Sequence, residues 1–210
     1  QDIARGKGVG LIDFHGELFD ETLAAIPKER ADDVVVIDVE DPEFSVAMNP
    51  LEGTLGNVQL RNFAASQIMG IIDGKLETRD TNGPVMRNHG HHALQLAMCH
   101  PEGGTLADVS RIFREPDFRE WLLSKADRRI CDYFKIFIST TGDYGFKNWL
   151  PFIQARFDPF AQDPILLRLL SRPSTVNLAQ LMDEGRIVLI RLSKSILQES
   201  DCQLLSTVLL

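Results

Sequence analysis

The chain has 210 residues, 44% hydrophobic and 25% charged, ordinary values for a globular protein with room for one large domain or a domain carrying an insertion. Its 22 Lys and Arg stand against 30 Asp and Glu, a formal net charge of -8, which excludes a polycation held on nucleic acid or anionic lipid by bulk charge and leaves only local contacts of that kind. Cys99, Cys131 and Cys202 are odd in number and far apart, so they make neither a disulfide framework nor a CxxC metal clip and suit a reducing, cytosolic setting; no apolar run approaches the roughly 18 to 20 residues of a membrane span.

The opening stretch QDIARGKG reads as the last turn of a helix closed by glycine. It is not a phosphate loop, because Lys7 is followed by Gly8 and precedes a strand, whereas a P-loop needs Gly-x-x-x-x-Gly-Lys-Ser/Thr between a strand and a helix. Residues 8–13 form a wholly apolar strand that stops at Asp13. Leu18, Phe19, Leu23 and Ile26 then recur at helical spacing until Pro27. A second, β-branched strand spans 33–39 and turns acidic at Asp38, Glu40 and Asp41. Strand, helix and strand within about thirty residues make a βαβ unit, hence a parallel sheet. Neither strand alternates polar with apolar residues, as expected where both faces are covered.

From Asn57 to about Leu170 only helical segments are expected, over 57–73, 84–99, 105–114, 116–125, 127–138 and 146–170, the last interrupted by Pro151, Pro159 and Pro164. NLAQLMDEG then makes a short helix stopped by Gly185, RIVLIRL over 186–192 makes a third strand, and a helix follows over 197–210. The expected fold class is α/β, a parallel sheet with a large all-α insertion: residues 1–55 and 173–210 build the sheet, and 56–172 the helical domain. The apolar CQLLSTVLL at the end carries no stop signal, so the chain is expected to continue into a longer polypeptide at both ends.

A buried parallel strand delivers its last residue to the carboxyl edge of the sheet, where open α/β folds place ligands. Asp13 and His15 are the candidate phosphate-proximal pair: Asp13 either orients a Mg²⁺-bound water or caps the following helix, and His15 either contacts a phosphate or is a solvated turn residue. Asp-x-His-Gly after a strand also resembles the first metal motif of metallophosphoesterases, but the Gly-Asp-x-x-Asp and Gly-Asn-His elements that complete a dinuclear site are missing. His89, His92 and Cys99 can share a helix face, with His91 and His100 nearby; without an acidic neighbour, packing is the expected role and no metal site is assigned. The basic and aromatic run from Arg111 to Arg129, including Trp121, is diluted by Glu115, Asp117, Glu120 and Asp127 and reads as a solvated face. Arg156 lies in an apolar helix, where it must pair within the fold or serve as an inter-subunit arginine.

The succession IDFHGEL, NPLEG, TLADVSRIFREPDFR and STVNLAQLMDEGRIVLIRLSKS resembles the TraG/TraD-type coupling ATPases of conjugation and type IV secretion, within the FtsK/HerA class of P-loop DNA-pumping motors. The resemblance covers essentially the whole chain, with Phe14 where the family usually has Pro and Ser195 where it usually has Gly. It implies a partial RecA-like sheet interrupted by an all-α domain, with the Walker A and Walker B segments in flanking sequence. It also implies ATP and Mg²⁺ as cofactors of the full-length protein, a homohexamer, and DNA or a secreted nucleoprotein as substrate. The setting it implies is the cytoplasmic face of the membrane, reached through regions outside this chain. A non-catalytic binding or adaptor module stays open as the alternative.

Overall fold

The computed structural model describes residues 2–41, 43, 46–75 and 83–209. Gln1 and Leu210, the outermost residues of the expected terminal helical turns, lie outside the described residues, as do Pro42, Phe44 and Ser45 of the stretch after the second strand. In chain order the elements are β1 (Val9–Asp13), α1 (Glu17–Ala24), β2 (Val34–Asp38), α2 (Val58–Lys75), α3 (Gly83–Ala97), α4 (Asp108–Arg114), α5 (Pro116–Leu123), α6 (Arg128–Phe157), α7 (Pro159–Gln162), α8 (Pro164–Leu170), α9 (Leu178–Asp183), β3 (Ile187–Arg191) and α10 (Glu199–Leu209). The chain divides into two compact units, Gln1–Val46 with Thr175–Leu210, and Ala47–Ser174.

The first unit is α/β. Its three strands are parallel in the order β1-β3-β2, so the strand that comes last in sequence is the central one. That position explains its composition: Ile187 to Ile190 are all buried and almost wholly apolar, as a strand paired on both sides and covered on both faces requires. β1 and β2 are only half-buried along most of their length. Phe19 of α1 packs on Ile187 and Leu189, with Leu11, Val34 and Val36 around them. Leu18 and Leu23 of the same helix are exposed.

Two glycines at the amino edge are required by geometry. Gly185 closes α9 at φ +71°, and a Cβ on Gly8 would lie 2.9 Å from Gly185 backbone atoms, so this close approach admits no side chain. Arg30 fastens the same edge, donating to Gly185 O at 2.9 Å and to Ile3 O at 3.0 Å while pairing with Asp33. Residues 3–5 make one 3-10 turn ended by Gly6 at φ +80°.

Among its described residues the second unit has helices and no strand. Asn49 of the NPLEG stretch belongs to it: its side-chain amide donates to Gly104 O at 2.8 Å and its backbone N–H to Ser174 Oγ at 2.8 Å. Two helices were expected over 127–138 and 146–170, and the span Arg128–Phe157 is two helices that meet at a kink. The interruption is confined to Gly142, at φ 58° and ψ -160°, a conformation that needs glycine. Pro151 is absorbed inside α6, whereas Pro159 and Pro164 sit at the first positions of α7 and α8, where a missing N–H costs nothing. Phe134, Phe157, Phe160, Leu94 and Ile112 are among the fully buried side chains of this unit. No helix among the described residues is long and apolar enough to cross a membrane.

Candidate functional site

The carboxyl edge of the sheet is charged on every strand. Register places Arg191 of β3 directly between Asp13 of β1 and Asp38 of β2. Each strand therefore ends in an ionisable residue, and the central one is the cation.

Asp13 is buried, and its two carboxylate oxygens accept the backbone N–H groups of His15 and Phe19, each at 2.9 Å. Phe19 is the third residue of α1, and Gly16 before it is in the left-handed region at φ 89° with no side chain to cap the helix. Asp13 thus satisfies an open helical N–H from the end of the preceding strand. Burial works against its charge, but the N–H groups of His15, Phe19 and Gly16, together with the His15 charge, outweigh it and hold Asp13 below the ordinary carboxylate value. His15 is exposed on the same turn.

Arg191 was not singled out by sequence. Its guanidinium pairs with Asp20 and lies 3.4 Å from Asp38 and 3.7 Å from Glu40, with its plane 4.3 Å above the Phe19 ring. Ser195 Oγ donates to Glu40 at 3.2 Å and lies 2.7 Å from Ser193 Oγ. The hydroxyl of Ser193 is the largest influence holding the Glu40 carboxyl low; desolvation opposes it, and Ser195 and the Arg191 charge add to it. The available signal was the motif RLSKS itself: an Arg ending an apolar central strand must find carboxylates, and the two neighbouring strands end in Asp.

This edge does not fit a triphosphate. Asp13 already takes the Phe19 N–H in the first turn of α1 and the His15 N–H before it, and the Arg191 guanidinium is surrounded by Asp20, Asp38 and Glu40. Among the described residues no three His, Cys, Asp or Glu side chains converge as a metal-ligand set.

Arg156 is 5% exposed. It lies 3.6 Å from Asp73, donates to Phe152 O at 3.1 Å, and shares Asp73 with Arg87, so it ties α6 to α2 within the helical unit and does not project from it. The histidines divide among packing roles. His89 is buried among Tyr133, Phe137 and Trp149, His92 stacks on Tyr133 with ring centroids 3.6 Å apart, and His100 meets the edge of Trp121. Cys99 Sγ accepts from Arg61, whose guanidinium pairs with Asp127, the N-cap of α6. Burial pushes the imidazoles of His89, His91 and His92 below the usual histidine value and raises the Tyr133 phenol. In the basic and aromatic run, Arg111 pairs with Asp108 and Glu115, and Arg114 with Glu115.

No protein-family model matches the chain, and neither a curated protein nor a solved structure is found similar to it.

Proposed function

We propose that this chain is the central segment of an ATP-driven translocase of the TraG/TraD type, moving DNA or a nucleoprotein at the cytoplasmic face of the membrane as part of a homohexamer. The observation that carries the reading is the order in which the sheet is built. The chain makes β1, α1 and β2, leaves for a helical unit of Ala47–Ser174, and returns to lay β3 between the first two strands. An all-α block interrupting a parallel sheet is the arrangement that the motifs IDFHGEL, NPLEG and RLSKS lead one to expect of a RecA-like core with an inserted domain.

The chain contains no Gly-x-x-x-x-Gly-Lys-Ser/Thr sequence, and the Arg191 guanidinium at its carboxyl edge is already paired with carboxylates of the same unit. In this reading ATP and Mg²⁺ are therefore held by flanking segments of the parent polypeptide, and the 210-residue chain supplies framework. When bound, they would supply γ-phosphoryl transfer to water. Asp13 fixes the turn that leads from β1 into α1, and Arg191 fixes the spacing of the three strand ends. A titration with ATP and Mg²⁺ separates the possibilities: the 210-residue chain stays silent at micromolar nucleotide, and the chain extended on each side by one βα unit, about forty residues, binds. A non-catalytic binding module is the second reading, favoured by the full use of the Asp13 carboxylate in capping; it expects no binding from either form.

A further inference from the structure

The geometry points to a phosphate-binding site in the helical unit, in a cleft between α2, α3 and the start of α6 that takes inorganic phosphate or a phosphomonoester. The cleft measures about 310 Å³ and is bordered by Arg61, Asn62, Asn88, His91, His92 and Arg129, among others. A second hollow of about 280 Å³ opens beside it and shares Asn88 and His91. Both volumes are near the lower end of the usual range for small-molecule sites, roughly 300 to 1,000 Å³.

Charge selects an anion. The carboxylate of Asp127 is used by Arg61 and by the backbone N–H groups of Arg129 and Ile130. The Arg129 guanidinium has no ion pair among the described residues, so the cleft holds one uncompensated positive charge on a chain of net charge -8. Asn62 Oδ1 accepts from Gln95 at 3.1 Å, which leaves the Asn62 NH₂ free to donate, and the Asn88 side-chain amide is also open.

The imidazoles select phosphate among anions. His92 Nδ1 lies 2.8 Å from the Asn88 carbonyl, which can only accept, so Nδ1 carries the proton and Nε2 is bare. Ser66 donates its one hydroxyl hydrogen to Asn62 O at 2.9 Å, so it accepts from His91 Nε2 at 3.2 Å, and the His91 ring also bonds the Asn62 backbone. The bare His92 nitrogen beside a free guanidinium suits an anion able to share a proton. A phosphomonoester, with its second pKa near 6, does so at neutral pH, and sulfate does not. The charged and titratable groups facing the two rings are Arg61 from α2, Arg87 and His89 from α3, and Asp127, Arg129 and Tyr133 from the start of α6.

The test is a titration of the 210-residue chain with inorganic phosphate, and separately phenyl phosphate, at about pH 6.5, read by histidine-ring ¹⁵N shifts and by calorimetry. The expected result is saturation at millimolar ligand, with His91 and His92 moving toward the imidazolium form while His15 and His100 stay put. Arg129→Gln, an exposed position, should weaken binding about tenfold or more, and Asn88→Ala severalfold at an unchanged urea midpoint. Unmoved His91 and His92 signals, wild-type affinity in both variants, sulfate binding as well as phosphate, or preferential binding of an oligonucleotide without terminal phosphates would each overturn the assignment. The site is read on helical-unit signals with no ATP present, so its failure is distinct from a failure of the ATPase reading.

Discussion

Arg191 and Asp38 end adjacent parallel strands in register, with Nη1 3.4 Å from Oδ2 and both side chains largely out of water. The pair holds the carboxyl edge of β3 to that of β2, and Glu40 and Asp20 complete the shell around the guanidinium. Removing the cation leaves Asp38 with a poorly solvated, unpaired charge. Arg191→Met is expected to lower stability by about 2 kcal/mol, less than for a fully buried pair because Asp20 and Glu40 keep contact with water. Urea unfolding checks this, and Asp38→Asn in the same chain should recover part of the loss.

Asp13 is expected to matter to the fold before it matters to any chemistry. Asp13→Ala removes the acceptor for the His15 and Phe19 N–H groups and should cost about 1 to 2 kcal/mol, while Asp13→Asn, which keeps one acceptor oxygen, should cost less. The folded pKa of Asp13 lies below 3.8, so as pH falls the unfolded chain takes up its proton first. The stabilisation is complete above the unfolded value and is lost as pH falls through the folded one. Acid titration followed by circular dichroism should show a shallower acid limb in Asp13→Asn.

Three histidines of the helical unit set a second pH window. His89, His91 and His92 all titrate below 6.5 in the folded chain, chiefly because burial disfavours the imidazolium. The unfolded state then binds more protons as pH falls through 6.5, so their stabilisation of the helical unit is present above that pH and declines below it. The urea midpoint followed by Trp149 fluorescence, Trp149 being packed against His89, should be lower at about pH 5.5 than at about pH 7.5. His91→Gln should reduce that difference.

Asp127 serves two partners at once, the buried Arg61 guanidinium and the first turn of α6. Asp127→Ala strands a cation that is 5% exposed and uncaps a long helix, for an expected loss of about 3 kcal/mol. If the stranded charge is the larger part, Arg61→Met in the same chain should be less damaging than Asp127→Ala alone, which a double-mutant cycle measures.

The parallel α/β sheet and its strands were legible because GVGLI, VVVIDV and RIVLIRL are short apolar runs bounded by turn chemistry, and the period of Leu18, Phe19, Leu23 and Ile26 left only a helix between the first two. Strand order was not legible. Nothing local to RIVLIRL says that it pairs with both earlier strands; only its freedom from polar residues hints at a central place. The position of Arg191 between two Asp residues followed from that pairing and was missed with it. The break between the two helices of Arg128–Phe157 was legible in TTGDYG, although it is confined to Gly142 and so is shorter than that composition suggests. Asp13 and Arg156 were found as residues with something to do, but their partners, the α1 amides and Asp73, are set by folding at distances the sequence does not encode. The cleft at His91 and His92 stayed hidden because its wall comes from α2, α3 and α6 together.

The most direct measurement of the central claim is nucleotide affinity as a function of flanking sequence. Calorimetry with ATP and Mg²⁺ on the 210-residue chain should give no micromolar binding, and the chain extended by about forty residues on each side should bind and hydrolyse ATP. Tight ATP binding by the 210-residue chain alone, or none by the extended one, would contradict the account.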